Sequence, residues 1–325
     1  LRAIRAHFHS SPIVLFARPA PAEVLSPNPW TEELIVDGGR LWSAVRALRR
    51  GRFDLAVLGP NSFRSALLAY LAGTGRRVGY RRDGRGWLLT DKLAPPRGPD
   101  GSWAVTPALG YYLELARRLG CEVSDRRMEL AVADADAAEA GRMLAEAGAD
   151  PRRPVVMLNP GASYGPAKMY PPQRFAAVAD GLIERRGAQV LINSAPSERA
   201  IAEAVEGAMS QTPLINLGRI RNRLGLLKAL LGRCDLLVTN DTGPRHIAAA
   251  LGVPVVTIFG PTDPGWTTID FERERIVRAD VPCAPCQRKE CPLPVGPERG
   301  QCMLRIDPQE VLAAAEELLE LGGRS

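Results

Sequence analysis

Short apolar runs alternate with amphipathic stretches along the whole chain. Leu41, Val45 and Leu48 recur at the spacing of one helix face, whereas Val155–Asn159 and Val255–Phe259 have the length of buried strands. Strands that alternate in this way with helices predict an α/β fold built on parallel sheets.

The predicted elements form two series. In the first, helices are predicted at 1–9, 40–50, 62–72, 107–119 and 134–150, with strands at 13–16, 34–36, 53–58 and 128–132. In the second, strands are predicted at 155–159, 190–193, 214–217, 236–240 and 255–259, with helices between them and a last helix at 308–321. Because Asp150-Pro151-Arg152-Arg153-Pro154 interrupts the pattern, we expect one domain at 1–150 and another at 151–325.

Composition excludes several classes of protein. With 46% hydrophobic and 24% charged residues in 325, the chain is not of the disordered type. Its longest apolar run, at 247–259, is interrupted by Gly252 and Pro254 and is shorter than the roughly 18 residues of a membrane span. The chain does not open on a secretory-type leader, so we expect a cytoplasmic location.

Positive charge is concentrated in the first third of the chain. Residues 1–100 hold 16 Lys and Arg against 8 Asp and Glu, and the remainder holds 26 against 28. A phosphorylated substrate, an anionic membrane surface or a nucleic acid would each be attracted, and a solvated face is the simplest interpretation. Nucleic acid is the least favoured, because aromatic residues are sparse here and no nucleic-acid-binding module is recognised.

Four of the six cysteines lie in one Pro-rich loop at 281–303, as C-x2-C-x4-C-x10-C: Cys283, Cys286, Cys291 and Cys302. Four thiolates can close a tetrahedral zinc shell, although the second half of this pattern lacks a C-x2-C. Disulfides are disfavoured in a reducing cytosol. Structural zinc therefore stays open beside a loop held by packing with reduced thiols, and the latter is slightly favoured.

A predicted strand runs into Asp241-Thr242-Gly243-Pro244, ahead of a helix. Pro244 suits the first helical position, since its missing N–H costs nothing there. The N–H groups of that turn form an anion site, and Gly243 lets a phosphate approach the backbone. A helix capped by Asp241 or Thr242 explains the same residues, so this loop alone does not decide between the two.

Two further loops favour the phosphate interpretation. Val155–Asn159 leads into a Gly-rich loop in which Lys168 offers a point charge and Ser163 a hydroxyl donor. The loop after 190–193 carries Glu198, whose carboxylate suits a ribose diol or a first helical turn. Three such loops at the ends of strands in one sheet are typical of a nucleotide site.

These loops stand in the order and spacing of a known family. Through Pro160–Lys168, Asn240–Pro244 with His246, and Phe259–Pro264, the chain resembles the ADP-heptose:lipopolysaccharide heptosyltransferases, glycosyltransferase family 9, over nearly its whole length. Arg64-Ser65-Ala66, Arg77–Arg81 and the cysteine loop are similar to that family as well.

The resemblance implies a GT-B fold: two Rossmann-like domains with parallel sheets facing a cleft, the first binding the acceptor and the second the nucleotide-sugar. It implies inverting transfer of heptose from ADP-heptose to the phosphorylated inner core of lipopolysaccharide, with no cofactor required. A lysine and a helix N-terminus can stabilise the leaving diphosphate without a metal. The protein would then be cytoplasmic, with peripheral contact at the inner membrane surface and no nucleic-acid partner.

The resemblance also implies roles for individual residues. The donor would be bound by Ser163, Lys168, Glu198, Asp241, Thr242, Gly243 and His246, with Glu198 at the ribose. A phosphorylated, acidic acceptor would be attracted by Arg64, Arg77, Arg81, Arg82 and Arg85. A structural hydrogen bond suits the partly apolar setting of His246 better than catalysis. The chain departs from the family pattern at Met169-Tyr170 and at Arg245.

The chain opens at Leu1, without methionine and directly in a helical pattern. In the family the base that deprotonates the acceptor is an aspartate after the first strand, just before this helix. The resemblance therefore implies that the strand and the base precede Leu1, and that the chain as given transfers sugar poorly. Two alternatives stay open: a different nucleotide-sugar donor, and a nucleotide-binding relative without catalysis.

Overall fold

The computed structural model describes residues 1–220 and 222–322, which divide between two compact units. The first unit comprises Leu1–Arg126 with Gly265–Thr268, and the second comprises Arg127–Pro264 with the chain from Ile269 onward. The first division along the chain thus lies between residues 126 and 127. The sequence had predicted it after residue 150. Residues 127–150 belong to the second unit, where Arg223 forms ion pairs of 2.5 Å with both Asp136 and Glu139.

Helices and short parallel strands alternate in the first unit. Its helices are α1 (Arg2–His7), α2 (Pro19–Leu25), α3 (Leu41–Gly51), α4 (Phe63–Leu71) and α5 (Ala108–Arg117). Its strands are β1 (Val14–Ala17), β2 (Glu33–Val36), β3 (Leu55–Val57), β4 (Arg76–Tyr80) and β5 (Asp91–Leu93). Strands β1 and β2 form one parallel sheet, and β3, β4 and β5 form another.

Helix α3 buries the face that its apolar spacing predicted. Val45 is buried and packs with Leu68 of α4, and Leu41 and Leu48 lie at the edge of the same cluster. Burying a side chain of this size stabilises the fold by about 1.5–3 kcal/mol. The opposite face of α3 is therefore left for solvent or a partner.

The second unit has longer elements around one sheet. Its helices are α6 (Asp134–Glu146), α7 (Pro172–Arg186), α8 (Arg199–Ala208), α9 (Leu224–Leu231), α10 (Gly243–Ala250), α11 (Gln301–Leu304) and α12 (Pro308–Leu321). Its strands are β6 (Val155–Asn159), β7 (Gln189–Ile192), β8 (Ile215–Asn216), β9 (Leu236–Asn240), β10 (Val255–Phe259) and β11 (Glu274–Arg278).

This sheet is parallel throughout, with the strand order β11-β10-β9-β6-β7-β8. If β6 to β11 are numbered 1 to 6, the order from β8 to β11 is 3-2-1-4-5-6, which is that of the Rossmann fold. The order reverses between β6 and β9, so the loops that leave Asn159 and Asn240 diverge. In sheets of this kind the resulting crevice is where ligands bind.

One predicted strand is absent from the structure, and three of its strands were not predicted. The strand predicted at 128–132 does not form, and the Leu130 N–H instead donates to the carbonyl of Ala250 at the end of α10. Strands β4, β5 and β11 were not predicted, because charged residues interrupt their apolar pattern. On β4 and β5 those charges satisfy each other, since Arg76 pairs with Asp91 across the two strands at 3.0 Å.

Among the described residues, no helix combines the length and the apolar character that crossing a bilayer requires.

Candidate functional site

Lys168 and Asp241 meet in the crevice where the strand order of the second unit reverses. The Nζ of Lys168 lies 2.5 Å from Oδ2 of Asp241 and 3.1 Å from the Asp241 backbone carbonyl. Both residues are almost fully buried, at 8% and 5% exposed. Thr262 donates its hydroxyl to the same Oδ2 over 3.0 Å. A buried ammonium ion is thus held by a carboxylate at the place where an incoming anion could replace that carboxylate.

A second buried ion pair continues from Asp241. The guanidinium of Arg245, fully buried on α10, lies 3.5 Å from Oδ1 of Asp241. It also binds both carboxylate oxygens of Glu274 on β11, at 2.5 and 2.9 Å. Lys168, Asp241, Arg245 and Glu274 therefore form a row of alternating charges that sums to zero. The sequence had marked Arg245 only as a departure from the family pattern, and Glu274 lies on a strand that was not predicted.

The amino end of α10 lies beside this row of charges. Thr242 is the residue before the helix, and its hydroxyl accepts a hydrogen bond of 3.0 Å from the Asn159 side chain. A side chain added at Gly243 would meet no atom within 4 Å, so the space beside the first turn is open. The first N–H groups of a helix have no partner inside the helix and carry the positive end of its dipole. The predicted anion-binding loop therefore has both the donors and the room for a phosphate.

Glu198 packs against the loop that follows β6. A Cβ atom added at Gly161 would collide with the Glu198 carboxylate, so this carboxylate lies directly against the Gly161 backbone. The side chain of Glu198 makes no capping bond to α8, although the residue stands at the start of that helix. Two of the predicted loops, after β6 and β7, are thus in direct contact, and Glu198 is not simply a helix-capping charge.

Asparagines link the ends of three neighbouring strands. Asn193 donates to the side-chain oxygen of Asn159 at 2.7 Å, and Asn222 donates to that of Asn193 at 2.8 Å. Asn240 donates to the Pro160 carbonyl at 2.8 Å, which fastens the loop after β6 to the end of β9. The hydrogen-bonded amides of Asn159, Asn193 and Asn240 hold these loops in one position, whereas the buried Oδ1 of Asn222 has no partner. The signal in the sequence was an asparagine at or just after the end of β6, β7 and β9.

The family profile of Glycosyltransferase family 9 (heptosyltransferase) matches residues 41–295. The chain belongs to glycosyltransferase family 9.

Individual members of the family are similar over most of the chain. Lipopolysaccharide heptosyltransferase 2 of Salmonella typhimurium is 29% identical over 286 residues, which cover 85% of this chain and 78% of that protein. The structure of E. coli ADP-heptose LPS heptosyltransferase II has a TM-score of 0.78 at 26% identity and covers 99% of this chain and 94% of that chain. A family 9 glycosyltransferase from Veillonella parvula shares the fold, with a TM-score of 0.82 at 23% identity, covering 98% of this chain and 91% of that chain.

The family resemblance drawn from the sequence is thus confirmed, and the protein is a glycosyltransferase. The expected α/β fold with parallel sheets is also confirmed, since it matches that of the E. coli heptosyltransferase II.

The remaining donor candidates of this family 9 protein differ in their setting. Ser163 is exposed on the turn after β6. Its neighbour Tyr164 covers the Lys168 ammonium with its ring at 4.7 Å and donates its hydroxyl to the Gln287 carbonyl at 2.8 Å. His246 lies half-buried on α10, where burial and the charge of Arg245 lower the pKa of its imidazole. Tyr164 had not been predicted as part of the site.

The four clustered cysteines differ in their exposure. Among the described residues, no three His, Cys, Asp or Glu side chains are grouped so that they could hold a metal ion. Cys283 is exposed, whereas Cys302 is buried, and burial raises the pKa of the Cys302 thiol to about 11. Cys291 accepts a hydrogen bond from the Gly300 N–H at 3.4 Å. Cys283, Cys286 and Cys291 lie near enough to Cys302 to raise the pKa of its thiol as well, and zinc binding by these four cysteines stays a prediction.

The arginines of the first unit divide into structural and accessible groups. Arg85 is fully buried and donates to the Tyr80 carbonyl and the Ser65 hydroxyl, each at 2.9 Å. Arg77 donates to the backbone carbonyls of Leu88, at 2.6 Å, and of Thr74. Arg85 is therefore engaged within the first unit and not exposed toward a ligand, and the side chain of Arg77 is largely engaged.

The other three arginines remain able to meet a ligand. Arg81 is exposed, and Arg82 stacks on the Trp103 ring at 4.1 Å. Arg64 is partly exposed while it pairs with the buried carboxylate of Asp37 at 2.5 Å.

Proposed function

We propose that this protein transfers heptose from ADP-heptose to the inner core of lipopolysaccharide, with inversion at the anomeric carbon. The observation that carries the proposal is the meeting of Lys168 with the Asp241-Thr242-Gly243 loop, 73 residues further along the chain, where the strand order reverses. The names of the Salmonella and E. coli relatives support this choice of donor and acceptor.

The donor diphosphate would lie between Lys168 and the amino end of α10. Negative charge builds on the diphosphate as the glycosidic bond to heptose breaks, and a fixed ammonium with helix N–H groups lowers that barrier. Lys168 would exchange the Asp241 carboxylate for a phosphate oxygen. Asp241 would keep its hydrogen bond from Thr262 and its ion pair with Arg245. This chemistry requires no metal or other cofactor.

Different side chains would contact the sugar and the nucleoside of the donor. Glu198 would accept hydrogen bonds from the ribose diol, since its carboxylate lies against Gly161 at the rim of the same crevice. Ser163 and Thr242 would donate hydroxyl hydrogen bonds to the diphosphate or the sugar. His246 would support the first turns of α10 from its half-buried position.

We assign donor binding to the second unit and acceptor binding to the first. The positive excess of residues 1–100 would attract the phosphates and acidic sugars of the acceptor. Arg64, Arg81 and Arg82 are the arginines suited to that contact. We also propose that the protein works in the cytoplasm, peripherally at the inner face of the cytoplasmic membrane, where such an acceptor is anchored.

A product assay tests the proposal directly. The protein is incubated with ADP-heptose and a heptosylated inner-core acceptor, and heptose addition is followed by mass spectrometry. Thermal unfolding with ADP, UDP or GDP is measured in parallel, and ADP is expected to give the largest rise in Tm. A larger rise with UDP or GDP would indicate another sugar nucleotide. A rise with ADP but no product would indicate a nucleotide-binding relative without catalysis.

A further inference from the structure

Helix α3 exposes a basic face that the donor site does not use. Arg46, Arg49 and Arg50 are exposed on the helix, Arg52 is exposed just after it, and Trp42 is 67% exposed near its start. The segment 40–52 contains five arginines in all and no acidic residue. Together with Val45, these side chains line one open depression of about 600 Å³. The charge is thus not balanced within its own helix.

Exposed aromatic rings adjoin this face. Trp87, 63% exposed, lies 6.2 Å from the ring of Phe63 and 6.1 Å from that of Tyr70, both of which are exposed on α4. Arg49 donates to the carbonyl of Leu71 at 2.9 Å, and this residue directly follows Tyr70. The arginines of α3 and the rings of Phe63, Tyr70 and Trp87 therefore lie on adjoining elements of the first unit. We call these exposed side chains together the basic-aromatic face; it comprises Trp42, Phe63, Tyr70, Trp87, Arg46, Arg49, Arg50 and Arg52.

The chemistry of this face favours a lipid surface over other partners. Arginine guanidinium groups bind the phosphates of lipid headgroups, and anionic bilayers attract basic segments over a Debye length. Tryptophan and tyrosine are favoured at the boundary between headgroups and acyl chains, where one end of the ring is apolar and the other is wet. A cluster of exposed apolar rings is typical of an interaction surface.

We propose that the basic-aromatic face seats the protein on an anionic phospholipid bilayer, with the arginines at the phosphates and Trp42 and Trp87 at the acyl boundary. This inference rests on the proposed function for the choice of a bilayer as the occupant. It adds the surface that makes the contact, on residues separate from those assigned to the donor and the acceptor. Binding is then reversible and salt-sensitive, because the contact is electrostatic and the inserted apolar area is small.

The test is co-sedimentation of the full chain with vesicles. Vesicles of phosphatidylglycerol and phosphatidylethanolamine are compared with vesicles of phosphatidylcholine alone, at low and high salt. We expect binding to the anionic vesicles only, with loss of binding at high salt. In the triple variant R46Q/R50Q/R52Q, partitioning should fall on the order of a hundredfold, since each basic residue at such a surface contributes about fivefold. Arg49 is left in place because it bonds to α4.

A matched control separates surface recognition from net charge. The variant R142Q/R278Q/R305Q removes the same charge from exposed positions of the second unit and should keep most of the binding. Trp42→Ala should weaken binding to anionic vesicles while leaving the unfolding temperature unchanged. Equal losses in the two triple variants, equal binding to phosphatidylcholine, or no vesicle binding would each overturn the proposal. ADP affinity measured on the same variants reports separately on the proposed function.

Discussion

Among the individual residues of the candidate site, Asp241 has the central position, because its carboxylate contacts three other side chains. Oδ2 accepts from Lys168 and Thr262, and Oδ1 faces Arg245 at 3.5 Å. An isolated buried charge would be costly, so each of these ions depends on its neighbours. If a phosphate binds the Lys168 ammonium in place of the Asp241 carboxylate, Thr262 and Arg245 can still hold Asp241 in its position. We therefore propose that one anion can replace another at Lys168 while Asp241 keeps its position.

The titration of His246 gives a prediction for stability. Burial, aided by the charge of Arg245, lowers the pKa of this imidazole in the folded state below its ordinary value of 6.5. As pH falls through that value the unfolded chain binds the proton first, so the free energy of unfolding should decrease. We predict that His246→Gln flattens this decrease between about pH 7 and pH 5, measured by urea denaturation. The exposed His9→Gln variant should retain it, and an unchanged pH profile in His246→Gln would refute the assignment.

Only some of these residues could be predicted from the sequence. Lys168, Asp241 and Glu198 were predicted because each follows a strand, and the ends of parallel strands share one edge of the sheet. The structure brings Lys168 to Asp241 and Glu198 to Gly161, while their roles toward a ligand stay predictions. Arg85 shows the limit, because its charge in the sequence does not reveal that backbone carbonyls already use its donors.

Among the secondary-structure elements, α10 allows ligand binding at its amino end to be tested separately from the stability of the fold. Gly243→Ala adds a methyl group into open space, so we predict little change in Tm. The same methyl would obstruct a diphosphate at the helix, and ADP affinity should fall about tenfold, as for the loss of one hydrogen bond to a charged group. Thermal unfolding and calorimetric titration measure the two effects.

Gly207→Ala is the control for that variant, since a side chain added at Gly207 on α8 also meets no atom within 4 Å. It should leave ADP affinity unchanged. Equal ADP affinity in the Gly243→Ala variant and the parent would argue against a phosphate at α10.

The link between α10 and β11 gives a second prediction at this scale. Arg245→Met leaves the Glu274 carboxylate buried without its cation, which should cost about 3–5 kcal/mol in the free energy of unfolding. Adding Glu274→Gln should recover part of this loss, because glutamine removes the charge and can still accept from the Thr257 hydroxyl. Urea denaturation measures both variants.

A surface ion pair on the same strand serves as the comparison. Arg275 pairs with Glu317 at 2.7 Å where both side chains reach solvent, so Arg275→Met should cost less than about 1 kcal/mol. If Arg245→Met costs no more than Arg275→Met, the buried row of charges does not stabilise the fold.

The elements themselves were predicted best where burial was complete. β6, β9 and β10 have the predicted bounds because every residue in them is buried, and short segments made mostly of apolar residues indicate such strands. β4 and β11 were missed because charged residues interrupt their apolar pattern: Arg76 and Arg77 begin β4, and Glu274, Arg275 and Arg278 flank the two apolar residues of β11. Periodicity cannot distinguish such a short charged strand from a loop, since the pairing partners lie elsewhere in the chain.

At the scale of the molecule, the sequence predicted two α/β units but not where they divide. The break at residues 150–154 is a turn between α6 and β6, both of which belong to the second unit. Contacts decide the boundary, as in the ion pairs of Arg223 with α6, and these join residues more than eighty positions apart. The basic excess of residues 1–100 is likewise divided by the fold into engaged arginines such as Arg77 and Arg85, the candidates for acceptor contact Arg64, Arg81 and Arg82, and the proposed basic-aromatic face.

The central claim, that the donor diphosphate binds between Lys168 and α10, is tested most directly by calorimetric titration of ADP and adenosine. In Lys168→Gln the amide can still bond to Asp241, but the cation is lost. We predict that ADP binds this variant roughly tenfold to a hundredfold more weakly than the parent, as for a hydrogen bond to a charged group, while adenosine binds equally well. The exposed Lys92→Gln variant should match the parent for both ligands. An unchanged ADP affinity in Lys168→Gln, or an equal loss for adenosine, would contradict the claim.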